Sequence, residues 1–246
     1  FLNFRTLSLL ETRINAASTH SLKEEHSTIC APGCAKELEK TMHVYSARHD
    51  QVDALATLAG AAFENYPLHT AVIPALNSAQ SFPQWVREIH RVMIKIFIRS
   101  HTVLVLEDKG EILGVALLNR RPPGISAYLR YCTPLFGYMR FDRLVRFFMF
   151  TEAADTVVRR ESDFDWFLTV IAVGPKQQGR GVGRRFLEKG IEGYIRSRGG
   201  GRLAFITCTP VNARFYSSAG YTLIGEHTVT FEENEVPVWS FEKDIL

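Results

Sequence analysis

The chain has 246 residues, of which 46% are hydrophobic, 11% aromatic and 22% charged; these are ordinary globular values and exclude a disordered, collagen-like or coiled-coil bulk. A net charge of +3 is too mild to point to nucleic acid but suits an anionic small molecule. No apolar stretch approaches the roughly 18–20 residues that a membrane-spanning helix needs, so no membrane partner is expected.

Taken in chain order, residues 1–42 mix Ser, Thr, Lys, Glu and Arg with weak helical periodicity and read as a loosely attached N-terminal arm. Arg5 and Arg13 flank an apolar stretch as in a targeting peptide, but Glu11, Glu24 and Glu25 oppose that reading. A start at Phe1 is expected of a fragment or a processed form. Cys30, Cys34, Cys132 and Cys208 lack the His partners of a zinc site and read as free thiols in a reducing compartment.

From His43 onward a single domain is expected. "HVYSARH" alternates as a short strand, and Asp50 reads as the N-cap of a helix running to about Glu64. "NYPLHTAVIP" is a loop bounded by prolines, and a second helix is predicted from about Pro83 to Arg99. "TVLVLEDKGEILGVALLN" is the clearest hairpin, two β-rich runs about a D-K-G turn. Residues 120–163 are aromatic and basic, with a helical tendency broken near Pro134. A strand over 165–173, a glycine-rich turn and a helix to about Arg198 follow, ended by Gly199-Gly200-Gly201. The strand "RLAFITC", a short helix within "VNARFYSSAG" and strands near 221–230 and 236–243 complete a mixed α/β (α+β) pattern.

The turn "GPKQQGRGVGRR" opens a helix with glycines, which is how chains receive phosphate: unpaired N–H groups face outward and no Cβ stands in the way. Gly174 to Gly179 has the P-loop spacing, but Arg180 and Gly181 replace the Lys and Ser/Thr that the chemistry needs. A dinucleotide fingerprint fails because Arg184 holds its third glycine position. The bland alternative is a solvent-exposed turn that uses glycine to start a helix.

The remaining grammar, Q/R-x-x-G-x-G/A, is met from Gln178 to Gly183, and with "IAVGP" before it the stretch resembles the acyl-CoA motif of the GCN5-related N-acetyltransferases (GNAT). One helix and one strand later, "TPVNARFYSSAGYTLIGE" is similar to that family's closing segment, through Asn212, Phe215, Tyr216, Gly220 and Tyr221. The resemblance covers residues from about 43 to the C-terminus and looks most like the branch of puromycin N-acetyltransferase and related small-molecule enzymes.

The resemblance implies a mostly antiparallel sheet of six to seven strands, splayed at its centre and flanked by helices. It implies acetyl-CoA as cosubstrate and no metal, with the cofactor held by the backbone of Ile171, Ala172 and Val173, by Gln178, Gly179, Arg180, Gly181, Val182, Gly183 and Arg184, and by Asn212. A helix N-cap would explain Asn212 nearly as well. Tyr216 is expected as the general acid that protonates the departing thiolate, its alternative being a core aromatic. Some family members carry a Glu where this chain has Phe167, so the general base is open. Asp165, two residues earlier on the same strand face, is the candidate, with Asp163 and Glu152 behind it.

The implied reaction is direct attack by a small-molecule primary amine in a ternary complex. A protein or peptide amine, or a non-catalytic acyl-CoA sensor, is the alternative. Acceptor choice should rest with "ENYPLHTAVIP" and the 120–163 insert, where Tyr128, Tyr131, Phe136, Tyr138, Phe141, Phe147, Phe148 and Phe150 either wall a pocket or fill a core. His69 and His101 read as isolated. A cytoplasmic monomer or homodimer is expected.

Overall fold

The computed structural model describes residues 42–246. The arm expected over residues 1–42, with Cys30 and Cys34, lies outside that range except for Met42, which opens the first strand.

The sheet has seven strands: β1 (Met42–Ser46), β2 (Thr102–Asp108), β3 (Glu111–Asn119), β4 (Trp166–Val173), β5 (Gly201–Thr207), β6 (Thr222–Phe231) and β7 (Asn234–Ile245). Their spatial order is β1-β2-β3-β4-β5-β7-β6, and every pair is antiparallel except β4 with β5. The hairpin between β2 and β3 turns on Lys109 (φ 50°) and Gly110 (φ 84°), the left-handed pair that a tight two-residue turn requires.

Alternation along the strands sends side chains to two separate cores. Val103, Val105, Val115 and Leu117 face one side, where they meet α1 (Val52–Ala62) and α2 (Phe82–Ser100) through Leu55, Ala59, Trp85, Ile89 and Phe97. The same side carries the insert, which folds as α3 (Ile125–Tyr131), α4 (Phe141–Ala154) and α5 (Thr156–Glu161). Leu104, Leu106, Ala116 and Leu118 face the other side. There they pack on α6, built from Val182–Arg185, a π-helical stretch Phe186–Ile191 and Glu192–Ser197. The short helix α7 (Pro210–Ser218) shares that core through Tyr216.

Two local expectations are corrected. Asp50 does not cap α1: it pairs with Arg48 at 3.2 Å, while Gln51 Oε1 accepts the Arg48 N–H at 2.9 Å across a preceding 3-10 turn. A longer polar side chain reaches back over that turn where the aspartate does not. Asn212 is not the cap of α7 either. Thr209 is, its Oγ1 accepting the Asn212 N–H at 3.2 Å.

Candidate active site

β4 and β5 are paired only at Trp166–Leu203 and Phe167–Ala204, after which the two strands separate. From Leu168 to Val173, β4 keeps β3 on one edge and loses its neighbour on the other. A strand edge without a partner presents N–H and C=O groups that must find one elsewhere. Where β4 meets β3, Leu168 pairs with Leu118 and Val170 with Leu117, which leaves Thr169 as a bulge. The bulge turns Thr169 into the opening, where its hydroxyl donates to Asn119 Oδ1 at 2.7 Å.

At the end of β4 the glycine turn leads into α6. Gly179 (φ 73°) and Gly181 (φ 76°) are left-handed, and a Cβ on either would meet nothing within 4 Å. The turn is thus open on its outer side, and the first N–H groups of α6 have no carbonyl within the helix to bond. Gln178 donates from Nε2 to Val173 O at 3.0 Å and so ties the turn to the strand end. Arg184 is engaged as well, bonded to Glu188 and Ser218 and lying over the Phe215 ring. Arg180 is exposed.

The splay opens into a cavity of about 250 Å³. Ile171, Asn212 and Tyr216 line it, as do Tyr128, Phe147 and Phe148 of the insert. Tyr131, Phe136, Tyr138, Phe141 and Phe150 do not line it; Phe141 is 66% exposed, and Phe150 packs on Phe231 in the core. Tyr216 is buried against Phe205, ring centroids 4.3 Å apart, whereas Phe215 is only partly buried. Desolvation pushes the Tyr216 phenol above its ordinary range, so it is a neutral donor at every working pH. No described residue hydrogen-bonds its hydroxyl.

Asp165 stands apart. It precedes β4 at the closed end of the splay, where Oδ2 accepts the Arg202 N–H at 2.8 Å and occupies the space a Cβ on Gly201 would need. It does not line the cavity, and neither does Asp163; Glu152 does. Asp155 joins Glu152 there, held by Arg159 NH2 at 3.0 Å, and burial lifts its carboxyl to about 6.

Of four further lining residues, Tyr66 and His69 belong to the "ENYPLHTAVIP" segment expected to shape acceptor choice, whereas Phe63 and His90 carried no site signal in the sequence. Phe63, Tyr66, His69 and His90 meet only through the packing of α1, the turn Pro67–Thr70 and α2. Tyr66 Oη accepts the Cys208 N–H at 3.0 Å and fixes that wall to the β5–α7 corner. Cys132 and Cys208 are free and buried. Among the described residues there is no cluster of three or more His, Cys, Asp or Glu able to hold a metal, and no helix long and apolar enough to cross a membrane.

The profile of the Acetyltransferase (GNAT) family matches residues 72–221, more than half of the chain. Among solved structures, arylalkylamine N-acetyltransferase 2 from Aedes aegypti superposes with a TM-score of 0.58 at 15% identity, over 83% of this chain and 99% of that one. Polyamine N-acetyltransferase of Drosophila melanogaster gives 0.53 at 16%, over 82% and 99%. A histone acetyltransferase HPA2 and related acetyltransferase from Corynebacterium glutamicum gives 0.53 at 18%, over 84% and 97%. At these identities the likeness is one of fold. No sequence among the curated proteins matches significantly.

Proposed function

The chain belongs to the GNAT acetyltransferase family and is an N-acetyltransferase; on that premise we propose that it moves an acetyl group from acetyl-CoA to the primary amine of a small molecule by direct attack in a ternary complex. The observation that carries this reading is the half-open β4 edge, which runs from the glycine turn to an aromatic cavity lined by Tyr216.

The residues fit the cosubstrate. A diphosphate would rest on the N–H groups of residues 179–184, a seat that the open space at Gly179 and Gly181 supports. The edge of Ile171 to Val173, which has no strand partner although Val173 O accepts from Gln178, would take the amides of its arm as an added strand. Arg180 supplies charge from the surface, Gln178 and Arg184 hold the turn's shape, and Asn212 reaches the cofactor from α7. When bound, acetyl-CoA supplies an activated acyl group on sulfur. The Val173 N–H would polarise the acyl oxygen, and Tyr216, whose buried phenol is neutral, would give its proton to the departing thiolate.

The aromatic walls favour an acceptor with an apolar or aromatic body. A cavity of about 250 Å³ lies below the usual range of ~300–1,000 Å³ for ligand sites and suits a small acceptor better than a polypeptide. The relatives above named for small amines support the same choice, as does the resemblance to the puromycin N-acetyltransferase branch. Residues 43–246 form the catalytic domain in this reading, working in the cytoplasm as a monomer or homodimer.

The test is thiol release from acetyl-CoA against aminonucleosides, polyamines, arylalkylamines and a lysine peptide, with calorimetry of CoA alongside. Turnover on one small amine is expected. Turnover on the peptide alone moves the acceptor class, CoA binding without turnover points to a sensor, and no CoA binding overturns the assignment of the glycine turn.

A further inference from the structure

Two histidines that this chemistry leaves unused face one another in the cavity. His69 places Nδ1 3.3 Å from the Phe63 carbonyl, and His90 places Nδ1 2.8 Å from the Val86 carbonyl. A carbonyl oxygen only accepts, so each Nδ1 carries the proton. Burial keeps both rings neutral: desolvation, then the neighbouring His90, lower His69 to about 3, and desolvation lowers His90 to about 4. Each Nε2 therefore keeps its lone pair, and no described residue bonds to it.

The rings meet edge to face with centroids 5.2 Å apart, and Phe63 packs 5.7 Å from the first and 5.0 Å from the second. Tyr66, 5.9 Å from His69, links this wall to Cys208, just before the helix that carries Tyr216. The other ionisable groups lining the cavity are Tyr66, Tyr128, Tyr216, Glu152, Asp155 and Arg159. Of the two carboxylates, Asp155 is occupied by Arg159, and Glu152 is largely exposed with Arg159 at 3.8 Å. The cavity thus offers an incoming nitrogen neutral lone pairs rather than a dedicated buried charge.

Resting on the reading of the chain as an amine acetyltransferase, we propose that the acceptor amine binds as the free base, donates an N–H to Nε2 of His69, and gives that nitrogen its proton as acetyl transfer proceeds. His90 is a positioning residue whose ring packs edge to face on His69 and holds that imidazole in place. The nitrogen lone pair forms the new N–C bond, and the C–S bond breaks with its electrons on sulfur. Tyr216 protonates the sulfur, and His69 Nε2 takes the proton leaving nitrogen. His69 then returns that proton through solvent to the Tyr216 phenolate. An alkylammonium, with a pKa of ~10, does not give up its proton to so weak a base, but a nitrogen already bonding to carbon does.

Two readouts test this, one of them independent of turnover. In ¹⁵N-histidine NMR of the wild-type chain without acetyl-CoA, both rings should remain Nδ1–H tautomers down to about pH 5. Adding an arylalkylamine should shift His69 Nε2. In kinetics, the apparent pKa of kcat/KM should follow the basicity of the amine across a series. His69→Asn keeps a donor for the Phe63 carbonyl and removes Nε2, so kcat should fall by about 100-fold with KM for acetyl-CoA unchanged. Rings that charge near pH 6.5, a pKa common to every amine, full activity in His69→Asn, or loss of activity in Glu152→Gln instead each overturn the proposal. A wild-type chain that acetylates no amine overturns the function proposed above and this role with it. Wild-type turnover left intact in His69→Asn overturns this role alone.

Discussion

Tyr216 and Phe215 are neighbours on α7, yet only Tyr216 turns inward, where burial desolvates its phenol and raises its pKa. Removing its hydroxyl leaves the ring packing on Phe205 intact. Tyr216→Phe should therefore lower kcat by about 100-fold while calorimetry shows CoA affinity unchanged, and undiminished turnover would remove the phenol from the chemistry. Asp155 gives a second test at this scale. Its carboxyl is raised from 3.8 to about 6 by burial, despite the opposing pull of Arg159. The native state holds that proton more tightly than the unfolded chain, so the contribution is fully present below about pH 4 and is lost as pH rises through 6. The shift corresponds to about 3 kcal/mol. The stability of wild type minus Asp155→Asn, followed by denaturant titration, should fall over that window. A flat difference would show that the carboxyl ionises freely.

The helix α6 has to do two things, present its N-terminus to the turn and lie close on the sheet. Its glycines divide accordingly. Gly190 sits in the π-helical stretch, where a Cβ would stand 2.8 Å from the Phe186 ring and 3.0 Å from Val44. Gly193, one turn on, would meet nothing within 4 Å. Gly190→Ala should cost about 1–3 kcal/mol through overpacking. Gly193→Ala should stabilise by about 0.5–1 kcal/mol, since alanine is the better helix former and the site is open. Thermal unfolding of the two variants measures the contrast, and equal effects would mean that α6 is not pressed onto β1 as described.

At the scale of the molecule, a sheet split at its centre needs something to hold its halves together. α6 packs on Leu104, Leu106 and Leu118 from one half and on Phe241 and Ile245 from the other. Glu192 fastens that arrangement. It is 2% exposed and accepts from Lys243 Nζ of β7 at 2.8 Å, from Tyr221 Oη at 3.0 Å and from Arg196 NH2 at 2.9 Å. Glu192→Ala strands Lys243 beside an emptied site and should cost about 3–5 kcal/mol by denaturant unfolding. Replacing the ion pair and the buried hydroxyl together, as Glu192→Leu with Lys243→Met and Tyr221→Phe, should recover most of that loss. A combined variant no better than the single one would show that the polar cluster itself carries the stability.

Local chemistry made much of this legible before folding. Period-two and period-3.6 patterns marked the strands and helices, Lys109-Gly110 marked the hairpin, and the glycines at 179 and 181 marked a left-handed turn into α6, because each depends on residues adjacent in the chain. Tyr216 and Asn212 were legible through the resemblance of their segment to the family's closing motif, and both line the cavity. Where nearness in sequence is a poor guide to nearness in space, the expectation failed to reach the site. Asp165 directly precedes the strand that forms the cavity wall but lies at the end where β4 and β5 are joined. His69 and His90 belong to a turn and a helix whose separation along the chain hides a 5.2 Å contact between rings. A residue's own chemistry is written in the sequence; desolvation, which holds those imidazoles neutral and lifts Asp155 to about 6, is a property of what packs around it, and only the tertiary structure decides that.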